Sequence, residues 1–307
     1  MSNSEMNWKK LGNILKPSPD IWWMHGYTGA SFVRTVGNEL WMYVTGRDKQ
    51  GESRIGIVRG IIEDDVWTTL SIDENPVLDL GEMGCFDESG VSYPWITEHN
   101  GDLYMYYVGW VAGSKNRFMV FIGLAKSTDN GLSFHRVSKA PVLDRTPSEP
   151  LGTGSCSVYI KDGVWKMYYT AYEPWITGGE QSIPVYNVKY AESLDGVHWQ
   201  RNGKAVLDFK NSGEHIIAKP HPIFEDNMYK LWYCYRGHTY RIGYAESENG
   251  VDFVRKDADA GIDVSVEGWD SEMIEYPNLF DYQGKRYMIY CGNTYGKTGL
   301  GLAVLNQ

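Results

Sequence analysis

Cysteine, long apolar runs and blocks of one charge are all scarce in this sequence. The chain has four cysteines and no CxxC pair: Cys85, Cys156, Cys234 and Cys291. This spacing argues against a structural zinc site and a dense disulfide framework, so we expect reduced, buried thiols. No apolar run is long enough to span a membrane, and residues 1–10 lack the apolar core of a secretory signal. We therefore expect a cytoplasmic protein without a membrane partner.

The charge balance is acidic. The sequence carries 39 acidic and 29 basic residues, a formal net charge of −10, and no Lys/Arg block. A nucleic-acid partner is therefore not expected. Aromatic residues make up 14% of the chain, including 12 Trp and 22 Tyr. Such residues suit half-buried strands and also sugar-stacking surfaces.

A hairpin pattern recurs along the chain with a period of roughly sixty residues. Residues 191–199 read AESLDGVHW, and residues 125–134 and 245–253 repeat this pattern with small variations. Asp-Gly between two alternating runs is typical of a tight hairpin turn. A strand rich in Tyr, Trp and Met precedes each hairpin, and this strand occurs five times. The repeats predict an all-β fold.

The two ends of the chain complement each other. Residues 7–15 resemble the last strand of a repeat, whereas residues 301–305 stop at a third strand. Pairing the two would close a ring and protect a sheet edge. We therefore predict one five-bladed β-propeller domain over residues 1–307, with its last blade closed by the N-terminal strand. The predicted blades cover about 29–78, 91–143, 156–207, 219–264, and 276–305 plus 7–15.

The loops that lead into the innermost strands are the predicted functional surface, because they surround the mouth of the central channel. Two of these loops share a pattern of an aromatic residue, Asp, and Pro seven residues after the Asp. They begin FDES at residue 86 and WDSE at residue 269.

The repeats and these loops resemble the five-bladed propeller glycosidases, a superfamily of arabinanases, β-xylosidases, invertases, levansucrases and mannoside phosphorylases. The resemblance covers essentially the whole chain. Four longer motifs are similar to glycosidase-like proteins of bacterial surface-polysaccharide gene clusters; they lie at residues 86–91, 235–247, 269–274 and 292–296. The resemblance implies carbohydrate chemistry, possible roles in polysaccharide metabolism, and a single-displacement inverting route.

One family feature is missing. Arabinanase-like members place Asp, Asp and Glu on the first three blades, where this chain has TGASF at residue 28, SYPW at residue 92 and GSCS at residue 154. Either other loops supply the carboxylates, or the protein is not a simple arabinanase-type hydrolase.

Glycosidic chemistry needs a carboxyl group to exchange a proton with the bridging oxygen and, for hydrolysis, a second one to activate water. The candidates are the acidic residues of the two similar loops: Asp87, Glu88, Asp270, Glu272 and Glu275. Carboxylates in such loops also brace turns, and the paired Asp residues fit that role better than the Glu residues.

Substrate-binding candidates are cationic or aromatic. Lys219 and Arg236 suit an anionic group such as a uronate, a sialate-type carboxylate or a sugar phosphate. The full set of predicted binding residues is Trp22, Trp23, His25, Tyr27, Trp175, Lys219, His221 and Arg236. Core packing or ion pairing is the alternative role for each. The connection over residues 173–184 suits a flap over the channel, or a contact in a homo-oligomer.

Three functions stay open. The first is a glycoside hydrolase-like enzyme that cleaves or transfers a glycosyl unit in the channel; the second is a phosphorylase or transferase of the same fold; the third is a non-catalytic glycan-binding propeller. Two nearby carboxyl groups would favour hydrolysis, one would favour phosphorolysis or transfer, and none would favour binding alone. The expected partner is a carbohydrate, sugar-nucleotide or sugar-phosphate substrate, and no cofactor or metal is required by any motif.

Overall fold

The fold is built from β-strands. A computed structural model describes residues 6–179 and 182–306. Its strands are β1 (Trp8–Leu15), β2 (Tyr27–Val36), β3 (Glu39–Arg47), β4 (Ser53–Glu63), β5 (Val66–Ile72), β6 (Val91–His99), β7 (Asp102–Ala112), β8 (Phe118–Ser127), β9 (His135–Arg136), β10 (Thr153–Lys161), β11 (Val164–Ile176), β12 (Ile183–Ser193), β13 (Gln200–Leu207), β14 (Ile216–Glu225), β15 (Met228–Arg236), β16 (Tyr240–Ser247), β17 (Val254–Arg255), β18 (Glu275–Tyr282), β19 (Lys285–Cys291) and β20 (Leu300–Leu305).

Helical structure in the described residues consists of three short 3₁₀ turns, at Trp22–Met24, Asp257–Ala260 and Asn293–Gly296. None of the helices in this part of the chain is long and apolar enough to cross a membrane.

Consecutive strands pair antiparallel into sheets. Strands β2 to β5 and β6 to β9 form two four-stranded sheets in chain order. Strands β10 to β13 and β14 to β17 pair in the same way, and a single parallel bridge between Tyr186 and Ile216 joins the two groups. The last sheet has the order β1-β20-β19-β18, so the N-terminal strand pairs with the C-terminal one.

The first strands of the groups contact each other in a closed order. Strand β2 contacts β6, β6 contacts β10, β10 contacts β14, β14 contacts β18, and β18 contacts β2. Side chains also bond across these contacts, because the Asn278 side chain accepts from the Val33 N–H at 3.1 Å and the Trp95 indole donates to the Val158 carbonyl at 2.6 Å. The five strands therefore surround a common centre.

The same hydrogen bond stabilises each repeated hairpin. The hydroxyl of Ser127, Ser193 or Ser247 accepts a hydrogen bond from the N–H of a glycine three or four residues later, at 2.8 to 3.0 Å. Those glycines have positive φ, which a residue without Cβ adopts most readily. The hairpin residues of the repeat thus serve the scaffold.

Each second strand carries a fully buried tyrosine at the corresponding position: Tyr43, Tyr107, Tyr169, Tyr233 and Tyr290. Three of the four cysteines are also buried, on β10, β15 and β19, and no disulfide joins the cysteines. Burial raises the pKa of the Cys156 thiol to about 12, so this thiol is held in its unreactive neutral form.

Candidate functional site

A cavity of about 480 Å³ lies where the first strands converge. Residues from all five strand groups line it. Seven of them are tyrosines: Tyr27, Tyr93, Tyr172, Tyr186, Tyr240, Tyr276 and Tyr295. Four are cations: Arg47, Arg117, Arg236 and Lys297. No lining residue is Asp or Glu among the residues that the structure describes, so the wall combines aromatic faces with positive charge.

Bulges in the first strands shape the cavity floor. The register of β6, β14 and β18 against their neighbours shifts at Tyr93-Pro94, Lys219-Pro220 and Tyr276-Pro277. Tyr93, Lys219 and Tyr276 have φ of 54°, 51° and 58°, a region that side chains with Cβ rarely adopt. The bulge is held in two cases by a neighbouring hydroxyl, because the Tyr93 N–H donates to Thr45 Oγ1 and the Lys219 N–H donates to Ser155 Oγ, both at 3.0 Å. Strained backbone at a cavity is typical of functional sites.

Glu275 lies directly behind this wall, at the first residue of β18. The residue has no solvent exposure, and neither carboxyl oxygen has a hydrogen-bond partner among the described residues. Burial raises its pKa well above 4.5, although Tyr276 and Arg236 favour the charged form. The negative form of Glu275 would raise the pKa of Tyr27, Tyr93, Tyr186, Tyr240 and Tyr276, which all line the cavity. Burial therefore favours the neutral acid form of Glu275, which adjoins the cavity through Tyr276.

Lys219 lies beneath the floor. Its ammonium group is fully buried, has no hydrogen-bond partner among the described residues, and sits 5.5 Å above the ring of Trp95. Burial lowers its pKa from 10.5 to about 8. Neighbouring His221 is also buried and packs against Trp95 with 5.0 Å between ring centroids, and burial lowers its pKa well below 6.5. Neither residue lines the cavity, although Ala218, the neighbour of Lys219, does.

Asp87 and Asp270 brace the scaffold. Asp87 is buried and accepts from the Tyr107 hydroxyl at 2.9 Å and from Arg136 at 2.7 Å. Asp270 likewise accepts from Tyr290 at 3.0 Å and from Lys10 at 2.7 Å. The two carboxylates thus occupy equivalent positions, each between a buried tyrosine and a cation, and neither lines the cavity.

Glu88 and Glu272 also lie away from the cavity. Glu88 is half-buried, and its Oε2 accepts from the Gly84 N–H at 2.6 Å, which closes a turn. The side chain of Glu272 is exposed, while its N–H donates to the Asn293 side chain at 2.9 Å. None of the five predicted carboxyl groups lines the cavity, and Glu275 adjoins it through its neighbour Tyr276, which does.

The predicted aromatic and histidine residues divide between core and site. Trp23 is fully buried and donates to the Asp73 carbonyl at 2.9 Å, while the exposed Trp22 donates to the Glu74 carbonyl at 2.9 Å. His25 ends the Trp22–Met24 turn, and none of these three side chains lines the cavity. Tyr27 does line it, with the Arg47 guanidinium 4.3 Å from its ring centroid.

Trp175 supports the wall from outside. Its ring lies 5.4 Å from Phe118 and 6.3 Å from Tyr172, and both of these residues line the cavity. The predicted flap over residues 173–184 is largely strand, because β11 extends to Ile176 and β12 begins at Ile183. Glu180 and Gln181 of this flap lie outside the described residues.

Arg236 lines the cavity and donates to the Tyr295 hydroxyl at 2.9 Å. Several lining residues were not among the predicted site residues: Tyr93, Tyr186, Tyr240, Tyr295 and Lys297. Tyr186 and Tyr240 lie near the starts of two third strands, and their hydroxyls are 3.0 Å apart. The available signal was the Tyr-Pro pair at two strand starts and the GNTYG motif, which marks Tyr295.

No family model matches the chain. It is 36% identical over 304 residues to "Uncharacterized protein Rv1502" of Mycobacterium tuberculosis, which covers 98% of this chain and 100% of the relative.

Solved structures resemble the fold at low sequence identity. A structure described as "The GH130 family of mannoside phosphorylases contains glycoside hydrolases that target beta-1,2 mannosidic linkages in Candida mannan" has a TM-score of 0.75 and 17% identity, over 99% of this chain and 95% of the other. A putative glycoside hydrolase from Parabacteroides distasonis has a TM-score of 0.73 and 16% identity, over 98% and 97%. The chain therefore has the propeller-type fold of glycoside hydrolases.

Proposed function

This chain belongs to the same family as the Mycobacterium tuberculosis protein Rv1502, and we propose that it is a carbohydrate-active enzyme that cleaves or transfers a glycosyl unit in the central cavity. We take the strand groups as five blades, with β1 completing the last. The closed order of contacts among β2, β6, β10, β14 and β18 supports this count.

Glu275 is the proposed general acid. Breaking a glycosidic bond leaves charge on the bridging oxygen, and a carboxylic acid that keeps its proton at neutral pH can neutralise that charge. Glu275 fits because burial raises its pKa and no partner occupies its oxygens among the described residues. Both oxygens are closed off from solvent, so the proton reaches the sugar when a lining tyrosine turns aside or relays it through its hydroxyl.

A phosphorylase or transferase is the second candidate. Inverting hydrolysis uses two carboxyl groups about 6.5–9.5 Å apart with water between them. No pair of carboxyl groups lines this cavity in the described part of the chain, and four cations line the wall. An acceptor hydroxyl or phosphate would replace activated water, and Glu275 would still supply the proton.

The role of Glu275 is tested by turnover on three kinds of glycosyl substrate. Wild type and Glu275→Gln are compared on alkyl glycosides, nitrophenyl glycosides and nucleotide sugars, each with and without phosphate. We expect the substitution to lower kcat/KM by about 10²- to 10⁴-fold on alkyl glycosides. The loss should be much smaller on nitrophenyl glycosides, because nitrophenolate leaves without protonation. Wild-type activity should fall as pH rises through the raised pKa of Glu275.

Glu88→Gln and Glu272→Gln are the matched controls. Each replaces a Glu in one of the two similar entry loops, and neither Glu side chain lines the cavity. Turnover by Glu275→Gln at the wild-type rate on alkyl glycosides would contradict the assignment. Glycan binding without turnover on any substrate would favour the binding propeller.

A further inference from the structure

The arginines of this protein fall into two groups. Eight of the twelve have a carboxylate oxygen within 4.0 Å: Arg34, Arg54, Arg59, Arg136, Arg201, Arg241, Arg255 and Arg286. No such partner occurs among the described residues for the other four. Three of those four, Arg47, Arg117 and Arg236, line the cavity. Most of the arginines without a carboxylate partner in the described residues are thus concentrated at one place.

Neutral contacts, rather than charges, hold these guanidinium groups. Arg47 stacks on Tyr27, and Arg236 donates to the Tyr295 hydroxyl and lies 5.5 Å from the Tyr240 ring centroid. Lys297 adds a fourth cation, also without a carboxylate partner in the described residues. Glu275 is fully buried and does not line the cavity, and its burial disfavours the carboxylate form that would offset these cations. The cavity therefore keeps a net positive charge in a wall of tyrosine rings.

We propose that the glycan bound in this cavity carries its own acidic group, of the uronic-acid carboxylate type. The planar guanidinium binds carboxylates through two parallel hydrogen bonds, and tyrosine faces suit the apolar faces of sugar rings. A neutral sugar that filled the cavity would exclude water from these cations without replacing it by an anion, which is costly. This inference rests on the proposed function, since the glycan is taken to be the substrate of that enzyme.

The test is binding to an array of acidic oligosaccharides and their neutral counterparts of the same linkage. We expect the acidic members to bind at least about tenfold more tightly. Arg236→Gln and Arg47→Gln should each weaken this binding by about 10- to 100-fold. Arg145→Gln is the matched control, because Arg145 also lacks a carboxylate partner but stacks on Phe121 away from the cavity. It should bind like wild type.

Three outcomes would overturn the proposal: equal binding of neutral and acidic members, no binding to any member, or unchanged binding in both arginine variants. Inorganic phosphate is tested separately as a competitor. If it binds in an Arg236-dependent way while acidic glycans have no advantage, the anion is a free ion and the proposal is wrong. The proposed function fails separately, when acidic glycans bind as expected but the wild-type protein turns over none of the glycosides or nucleotide sugars.

Discussion

The buried ionisable groups toward the outside of the sheets have charged partners, whereas those beside the central cavity do not. Around the ring, a buried tyrosine, a carboxylate and a cation meet repeatedly; Asp87, Glu149, Asp257 and Asp270 each accept from such a tyrosine and face Arg or Lys. At the centre, Glu275 and Lys219 are just as buried and have no partner in the described residues. Removing one partner of a buried pair destabilises a fold, whereas a buried charge without a partner carries a desolvation cost that nothing offsets.

The N-terminal strand β1 supplies the cation for the carboxylate of the last sheet. Three of the carboxylates have an arginine as a partner, whereas Asp270 has Lys10 of β1. Lys10 donates at 2.7 Å from a strand more than 250 residues away in sequence. The charge pattern therefore supports ring closure as well as the strand pairing does.

The largest expected effect on stability comes from breaking an outer pair. Asp87→Asn leaves Arg136 without a counter-charge beside the buried Tyr107, and should lower the free energy of unfolding by about 2–3 kcal/mol. Urea unfolding measures this. Glu82→Gln is the control, because its ion pair with Lys139 is 70% exposed on both sides and solvent screening should leave the free energy of unfolding almost unchanged. An equal loss of unfolding free energy in both variants would contradict the expectation that buried ion pairs matter more than exposed ones.

An effect of comparable size and opposite sign is expected at the centre. Keeping Lys219 charged in the folded state, with its pKa lowered from 10.5 to about 8, costs about 3 kcal/mol below pH 8. Lys219→Met should remove this cost and raise the free energy of unfolding by about 2–3 kcal/mol at pH 7.

The sign follows from proton binding. Between pH 8 and 10.5 the unfolded chain binds more protons than the folded one at Lys219, so wild-type stability rises with pH. The advantage of the Met variant should therefore shrink across this range and vanish above it. Unfolding curves at several pH values test this, and a destabilised variant at pH 7 would show that Lys219 has a partner in solution.

The smallest effect is expected at Glu272. Its side chain is exposed and makes no hydrogen bond in the described residues, so Glu272→Gln should change the unfolding free energy by less than about 0.5 kcal/mol. Turnover should stay within about twofold of wild type. A large loss of turnover at normal stability would place Glu272 in the site and contradict the division drawn above.

The sequence predicted the strand content and the pairing of the chain ends well, because both depend on local patterns. The amino-acid sequence shows these patterns directly. They are the alternating apolar residues, the hairpin glycines, and a strand without a neighbour at each terminus. The candidate site was only partly predictable. Tyr27, Arg236 and Glu275 lie at or behind the cavity, whereas Asp87, Asp270, Trp22 and Trp23 serve packing or bracing. Residue type identified the loops but not the direction in which each side chain points.

The amino-acid sequence by itself determined that this protein is built from repeated antiparallel strands, since a repeat that cannot bury its apolar face alone must stack on its neighbours. Tertiary structure alone decided which acid lies beside the cavity. The bulges at Tyr93, Lys219 and Tyr276 change the register of three first strands, and a shift of one residue exchanges the two faces of a strand. Contacts with neighbouring strands stabilise this backbone geometry. The local sequence pattern therefore does not predict which face each side chain occupies.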